Sequence, residues 1–222
     1  MMTNSKPNFQ KAYKNANEIL VSSKTITEFP YSASKLIKEQ SDIVCRSFDK
    51  AQKYNVDIEA FGSKSAVIIN LDNRDIIFYN QNEIPQRVKF SMIHEFGHRK
   101  NGHEFKKMSD EIYGIAEVET NYFTAQLLMP EQILREFQKR GRRIEKSFLM
   151  NTFGVSEQAA IKRIETLNKI TWERSLLEKQ YDDIILNKYL PWINSIVPNN
   201  IDYLFSDDEA KQQERELWKY KY

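Results

Sequence analysis

Residues 91–105 read SMIHEFGHRKNGHEF, and all three histidines of the 222-residue chain lie in this stretch. His94 and His98 are four residues apart, so on an α-helix they lie one turn apart on the same face. Two imidazoles at this spacing can bind one metal ion, and Glu95 beside them can accept a proton from water. The stretch therefore predicts a helix that carries an HExxH metal site.

The residues around the motif support a helical context. Pro85 suits the first turn of a helix, since its missing N–H needs no partner there. Apolar residues then recur at helical spacing from Val88 to Phe96, and Asn101-Gly102 predicts the helix end. Gly97 is small enough to let a neighbouring helix approach closely.

Upstream of this helix the hydrophobic period changes. AVIINL (66–71) and DIIFYN (75–80) are short runs rich in β-branched and aromatic residues, separated by the polar Asp72-Asn73-Arg74. They predict a hairpin within a small antiparallel sheet. The first 54 residues show helical spacing, including the whole segment YSASKLIKEQSDIVCRSFDKAQKY (31–54).

Downstream of the motif, a helix is predicted from about Glu111 to Leu128, because Pro130 ends the pattern. Its predicted apolar face consists of Val118, Tyr122, Ala125 and Leu128. More helical pattern follows, with a break near IVPNN (196–200). We expect an α+β fold in which residues 1–130 form the main domain, 131–170 a helix-turn-helix-like segment packed on it, and 171–222 a helical C-terminal extension.

A catalytic zinc site needs three protein ligands. The pattern HExxHxxGxxH fails here, because Gly102 and His103 follow His98 by four and five residues. His103 is therefore interpreted as a loop residue near the mouth of the site.

The helix after the loop offers two glutamates as the third ligand. Glu117 and Glu119 point in directions that differ by roughly 200° and cannot both face one ion. Asn121 lies four residues after Glu117 on the same face, where it can hydrogen-bond the rim of a liganding histidine. We therefore predict Glu117 as ligand with Asn121 as its supporting partner, and Glu119 as the alternative.

Composition restricts the class of protein. The net charge of +2 argues against a dedicated DNA-binding protein. The single cysteine, Cys45, suits a reducing compartment. The first residues show no apolar run typical of a signal peptide, and no stretch reaches the length of a membrane span, so we expect neither. We expect a cytoplasmic protein without membrane contact.

A DNA-binding or protein-binding regulator is the alternative hypothesis. FGVSEQAAIKRIETL (153–167) is typical of a turn followed by a recognition-like helix, with Lys162 and Arg163 expected to be exposed. The basic residues Lys139, Arg140, Arg142 and Arg143 precede it, although such clusters usually form a solvated face.

RVKFSMIHEFGH (87–98) and AEVETNYFTAQLLMP (116–130) resemble the segments of the ImmA/IrrE family of metallopeptidases. The resemblance covers about residues 10–170 and is strongest from 75 to 130. Thr120 and Thr124 depart from it, because the family usually has alanine at both positions. The last fifty residues have no counterpart in the family.

The resemblance implies a cytoplasmic zinc-dependent protease that cleaves a partner, typically a helix-turn-helix transcriptional repressor, and so relieves repression in a mobile element or stress response. We expect one zinc ion per chain, held by His94, His98 and Glu117, with Glu95 as general base. The sequence is compatible with zinc and with manganese as the metal, and it does not specify an oligomeric state.

The sequence offers three candidate residues and one candidate strand for contacts with the substrate. Tyr113, Tyr122 and His103 are the candidates for stabilising the oxyanion or contacting the substrate. The strand at Ile76 to Asn80 is the candidate edge for pairing with an extended peptide.

Overall fold

The computed structural model describes residues 6–62, 64–103, 109–169 and 172–198. The helices are α1 (Phe9–Ser22), α2 (Ala33–Gln40), α3 (Pro85–Lys100), α4 (Asp110–Leu128), α5 (Glu131–Lys139), α6 (Lys146–Phe153), α7 (Glu157–Lys169) and α8 (Leu176–Ile196). The strands are β1 (Val44–Ser47), β2 (Ala66–Leu71) and β3 (Arg74–Tyr79), and two 3₁₀ helices span Phe48–Tyr54 and Glu59–Phe61. The α+β class is confirmed, and helices dominate it.

The sheet has three strands in the order β1-β3-β2. The predicted hairpin is present, since β2 and β3 pair antiparallel with Ile68 opposite Ile77. Asp72 and Asn73 both have positive φ in its turn, as a two-residue hairpin turn requires. β1 pairs with β3 in the parallel direction, so the sheet is mixed and not purely antiparallel as predicted.

The predicted helical segment 31–54 is helical at Phe48–Tyr54, as a 3₁₀ helix, but it is not helical directly after Gln40. Helix α2 ends there, and Val44–Ser47 instead forms β1. The sequence of residues 44–47 is compatible with a helix and with a strand, because so short an apolar segment shows no period that distinguishes the two. Pairing with β3, some thirty residues later in the chain, decides the outcome.

The helix of the HExxH motif has the predicted ends. Pro85 is at its N-terminal turn, and Asn101 is its C-cap. Gly102 has a φ of +72°, which places it in the left-handed region that ends many helices.

Helices α3 and α4 cross closely at Gly97. A methyl group at Gly97 would lie 2.7 Å from Phe123 Cδ1 and 3.0 Å from Thr120 Cγ2. The packed face of α4 therefore includes Thr120 and Phe123, both of which are buried. Val118, predicted on the apolar face, is instead 43% exposed because it lies on the opposite side of α4.

The main hydrophobic core contains buried residues from all three segments that the sequence suggested. Phe29 in the loop before α2, Phe153 of α6 and Trp192 of α8 form mutual ring contacts, and Phe137 of α5 joins Trp192. Tyr13 of α1 donates a hydrogen bond to Asp182 of α8. Helix α8 is thus packed into the same core as α1, and the predicted C-terminal extension is described only to residue 198.

The prediction that Arg163 is exposed is wrong. Arg163 is only 1% exposed, and it donates to the Met129 carbonyl and to Gln126 Oε1. Helix α7 turns this residue inward, so the guanidinium holds the end of α4 against α7. Its neighbour Lys162 is exposed.

The described helices include none with the length and apolar character needed to cross a membrane.

Replacing Gly97 by alanine should force α3 and α4 apart, because the new methyl group overlaps Phe123. We expect a loss of about 1–3 kcal/mol in the free energy of unfolding, measured by thermal and denaturant unfolding. Gly114→Ala is the matched control, since Gly114 lies in α4 with nothing within 4 Å of the added methyl. That variant should be as stable as the wild type or slightly more stable. Equal stability of the two variants would contradict the close crossing.

Arg163→Met should destabilise the protein by roughly 2–4 kcal/mol, because the Met129 carbonyl and the Gln126 amide oxygen lose a buried charged donor. Lys162→Met, one residue earlier and exposed, should change stability by less than about 0.5 kcal/mol. Unfolding in urea measures both. A neutral effect of Arg163→Met would show that the buried guanidinium is not needed for packing of α7.

Candidate metal centre

Three side chains converge where α3 crosses α4. His94 and His98 of α3 and Glu117 of α4 each direct one potential ligand atom to a common point, with all of these atoms within 4.8 Å of one another. The two Nε2 atoms lie 3.0 Å apart. Glu117 places Oε2 3.2 Å from His94 Nε2 and Oε1 3.1 Å from His98 Nε2.

These separations fit a tetrahedral ion. Ligand atoms held at about 2.0–2.1 Å from a tetrahedral centre are roughly 3.3 Å apart, and the three distances are close to that value. Two histidines and one glutamate form a donor set that catalytic zinc sites use, with the fourth position left open. Of the two glutamates considered from the sequence, Glu117 is the one that meets the histidines.

Burial and charge distinguish the three groups. The side chains of His98, His94 and Glu117 are 2%, 14% and 30% exposed. Burial opposes ionisation of Glu117, but hydrogen bonds from both histidines outweigh it and hold its pKa well below the usual range. Burial lowers the pKa of His98, which favours the neutral imidazole that binds metals.

Glu95 lies beside the cluster but is directed elsewhere. Its Oε2 accepts a hydrogen bond of 3.0 Å from the Ile68 backbone N–H of β2. Burial raises the pKa of Glu95 to about 7, against the opposing influence of His94 and of the Ile68 N–H. A carboxylate with a pKa near neutrality is suited to accept and return a proton. The sequence did not reveal the role of Ile68, because a backbone group leaves no residue-type signal.

His103 is not at the mouth of the site, as the sequence suggested. It lies behind His98, with its Nδ1 3.0 Å from His98 Nδ1, and its side chain is 8% exposed. Its Nε2 lies 3.0 Å from Glu119 Oε2. The loop after α3 turns back at Gly102, which brings His103 under the helix and away from solvent.

The partner predicted at Asn121 is supplied by a different residue. Asn121 is exposed on the cleft side of α4, whereas Thr120 Oγ1 lies 3.1 Å from His98 Nδ1. Thr120 follows Glu117 by three residues on the face that packs against α3. That helical spacing is a signal in the sequence for a residue on the same side of α4 as Glu117.

A cleft of about 750 Å³ opens in front of the cluster and is lined by His94, Glu95 and Glu117. Residues of α7, including Ala159 and Lys162, form another part of its wall. The participation of α7 was not apparent from the sequence, since some forty residues separate it from Glu117.

Tyr113 and Tyr122 both line this cleft. Tyr113 is 48% exposed and hydrogen-bonded to Glu117, so it is accessible to a ligand. Tyr122 is 4% exposed and packs against Phe9 and Trp172. Of the three candidates for substrate contact, Tyr113 is therefore the best placed.

The strand at Ile76 to Asn80 is not an edge of the sheet. β3 lies between β1 and β2, so the outer strand on the side of α3 is β2. The outward N–H of Ile68 in that strand is already bound by Glu95.

The model of the peptidase family M78, described as the IrrE N-terminal-like domain, matches residues 40–165 of the chain. The chain belongs to this family. The matched region is more than half of the chain and includes the whole metal cluster, while α1 and α8 lie outside it. A comparison with curated proteins found no significant match. Membership in the IrrE N-terminal-like family supports a metallopeptidase of the IrrE or ImmA type.

The cluster predicts how zinc binding should respond to mutation. Glu117→Gln should lower zinc affinity by more than the roughly 10–100-fold typical of residues that only support a ligand, because a neutral amide replaces a carboxylate ligand. Glu111→Gln, an exposed position on the same helix, should bind zinc like the wild type. Elemental analysis after equilibration with limiting zinc measures the difference. Equal zinc content in both variants would exclude Glu117 as a ligand.

Proposed function

We propose that the protein is a zinc-dependent endopeptidase that cleaves a helix-turn-helix transcriptional repressor. The observation that carries the catalytic part is the convergence of His94, His98 and Glu117 beside a cleft that His94, Glu95 and Glu117 line. The repressor as substrate is what the resemblance to the ImmA/IrrE family implies. The family match supports the peptidase activity.

The division of labour among the residues follows from their positions. His94, His98 and Glu117 would hold the ion, which would supply acidification of water and polarisation of the scissile carbonyl. Glu95 takes the proton of the attacking water on its oxygen Oε1, since Oε2 is held by the Ile68 N–H. It then returns the proton to the amine that leaves.

Tyr113 supplies the stabilising donor at the oxyanion in this proposal. Burial, followed by the negative charge of Glu117, raises the pKa of Tyr113 to about 12, so its phenol keeps a proton to donate at neutral pH. Its position four residues before Glu117 on α4 keeps the hydroxyl on the cleft side of the metal cluster. A protonated phenol next to the carbonyl stabilises the negative charge that forms there.

The alternative of a DNA-binding regulator is not favoured by these positions. Arg163 is buried, and the Arg140 side chain is 6% exposed because it ion-pairs with Glu136 and donates to the Val197 carbonyl. Two of the basic residues that suggested a DNA-binding surface are therefore engaged inside the fold.

Glu95→Gln should abolish proteolysis while leaving zinc content unchanged, because the amide cannot accept the water proton but can still accept the Ile68 N–H. We expect the rate to fall by about 10²–10⁴-fold. New protein N-termini should be compared by mass spectrometry between cells that express the wild type and cells that express Glu95→Gln. Termini specific to the wild type should arise within a helix-turn-helix repressor, and the purified repressor should then be cut in vitro.

The outcomes of this comparison separate the two parts of the proposal. Wild-type-specific termini found only in proteins that are not DNA-binding regulators would overturn the repressor assignment and leave the peptidase. Identical termini in both samples, combined with no cleavage of any purified repressor, would overturn the peptidase itself.

A further inference from the structure

The third histidine of the motif region forms a buried chain of polar groups behind His98. Glu119, on the same helix as Glu117, has a side chain only 13% exposed. It contacts His103, and His103 contacts His98 on the side of the ring that faces away from the metal cluster. These contacts lie outside the cluster of His94, His98 and Glu117 and reach it only through the back of the His98 ring.

In this series of hydrogen bonds, the donor and the acceptor of each bond follow from the groups involved. A carboxylate can only accept, and Glu119 uses Oε1 for the Asn8 backbone N–H at 2.6 Å and Oε2 for His103 Nε2 at 3.0 Å. The Nε2 atom of His103 must therefore carry the hydrogen. In the neutral ring, His103 Nδ1 then has a lone pair and can only accept.

His98 donates to His103 through Nδ1. Its Nδ1 faces His103 Nδ1 at 3.0 Å, and because that atom accepts, His98 Nδ1 must donate. The Thr120 hydroxyl, 3.1 Å from His98 Nδ1 and 3.2 Å from His103 Nδ1, can accept the same hydrogen or bridge the two rings in the same direction. With a metal ion bound at Nε2, His98 is thereby held with its hydrogen on Nδ1. In the metal-free structure Glu117 Oε1 lies 3.1 Å from His98 Nε2 and competes for a hydrogen at that atom.

His94 provides an internal contrast. Its Nδ1 is buried and has no hydrogen-bond partner among the described residues. Only one of the two histidines of the HExxH motif is therefore fixed from behind, and it is the more buried one.

We propose that Glu119 and His103 are positioning residues that hold His98 in the tautomer competent to bind a metal ion. Residues that orient a liganding histidine in this way commonly contribute 10–100-fold to metal affinity. The proposal rests on the proposed metal-dependent function. It also gives α1 a part in the site, because Asn8 caps that helix and lies outside the region matched by the family model.

Glu119→Gln is the sharpest test because it preserves shape while removing one acceptor. With a single amide oxygen, residue 119 cannot accept from both Asn8 and His103, so the amide NH₂ is presented to one of them. When it faces His103, it favours a hydrogen on His103 Nδ1, which opposes the donor on His98. We expect zinc affinity, measured by competition with a chromophoric chelator, to fall about 10–100-fold. One zinc per chain should still bind at saturation.

Two variants of His103 separate hydrogen bonding from packing. His103→Leu removes both polar atoms and should weaken zinc binding about 10–100-fold. His103→Gln can accept from His98 through its oxygen and donate to Glu119 through its nitrogen, so it should restore affinity close to the wild-type value. Thr120→Ala should lose less affinity than His103→Leu, since the direct contact between the two histidines remains.

The tautomer itself can be observed without any activity measurement. Long-range ¹H–¹⁵N correlation spectra of wild type, with and without zinc, should show His103 protonated at Nε2 and not at Nδ1. A hydrogen on His103 Nδ1 in the wild type, or wild-type zinc affinity in both Glu119→Gln and His103→Leu, would overturn the proposal. A large loss of affinity in Thr120→Ala with none in His103→Leu would also overturn it, because the hydroxyl would then be the partner that matters.

Failure of the proposed function is distinguishable from failure of this inference. If the wild type binds no zinc, the metallopeptidase proposal fails, while the His103 tautomer in the metal-free protein still decides whether Glu119 directs the chain of hydrogen bonds.

Discussion

The close crossing of α3 and α4 at Gly97 is the contact on which the site depends. Helix α3 carries both histidines, whereas Glu117, the candidate third ligand, lies on α4, which begins ten residues after the end of α3. Because Gly97 has no side chain, Phe123 and Thr120 approach the α3 backbone directly. The same approach sets Glu117 within 3.2 Å of both histidines and sets Thr120 against the back of His98. The close packing at Gly97 therefore also positions the side chains of the candidate metal site.

Around this crossing, other helices and strands contribute hydrogen-bond donors and part of the cleft wall. β2 contributes the Ile68 N–H that holds Glu95, and the hairpin with β3 keeps this strand beside α3. The N-cap of α1 contributes the Asn8 N–H that holds Glu119. Helix α7 forms part of the cleft wall and is held to the end of α4 by the buried Arg163. Elements far apart in the chain thus converge on two neighbouring helices.

The C-terminal helix connects this arrangement to a wider polar network. Asp182 of α8 accepts from Tyr13 and from Gln132, and Arg174 forms ion pairs with both Asp182 and Glu131. Gln132 in turn accepts from Gln126, which also receives a hydrogen bond from Arg163. Buried polar groups that satisfy one another restrict the alternatives open to a core, since a displaced partner leaves an unpaired group. Helix α8 is held to α1 and α5 by these contacts as well as by its apolar face.

The sequence by itself determined the features that depend on local spacing. Periodicity and turn chemistry place His94 and His98 on one helical face and give the ends of α3 and the hairpin. It also favoured Glu117 over Glu119, because the two cannot face one ion and Asn121 lies four residues after Glu117, although the structure places Thr120 and not Asn121 beside His98. Only the tertiary structure decided the contacts between residues that are far apart in the sequence. β1 became a strand through pairing with a distant segment, and Arg163 turned inward because Met129 and Gln126 lie there. His103 and Glu119 became partners behind His98, since neither spacing nor residue type specifies contacts between separate elements.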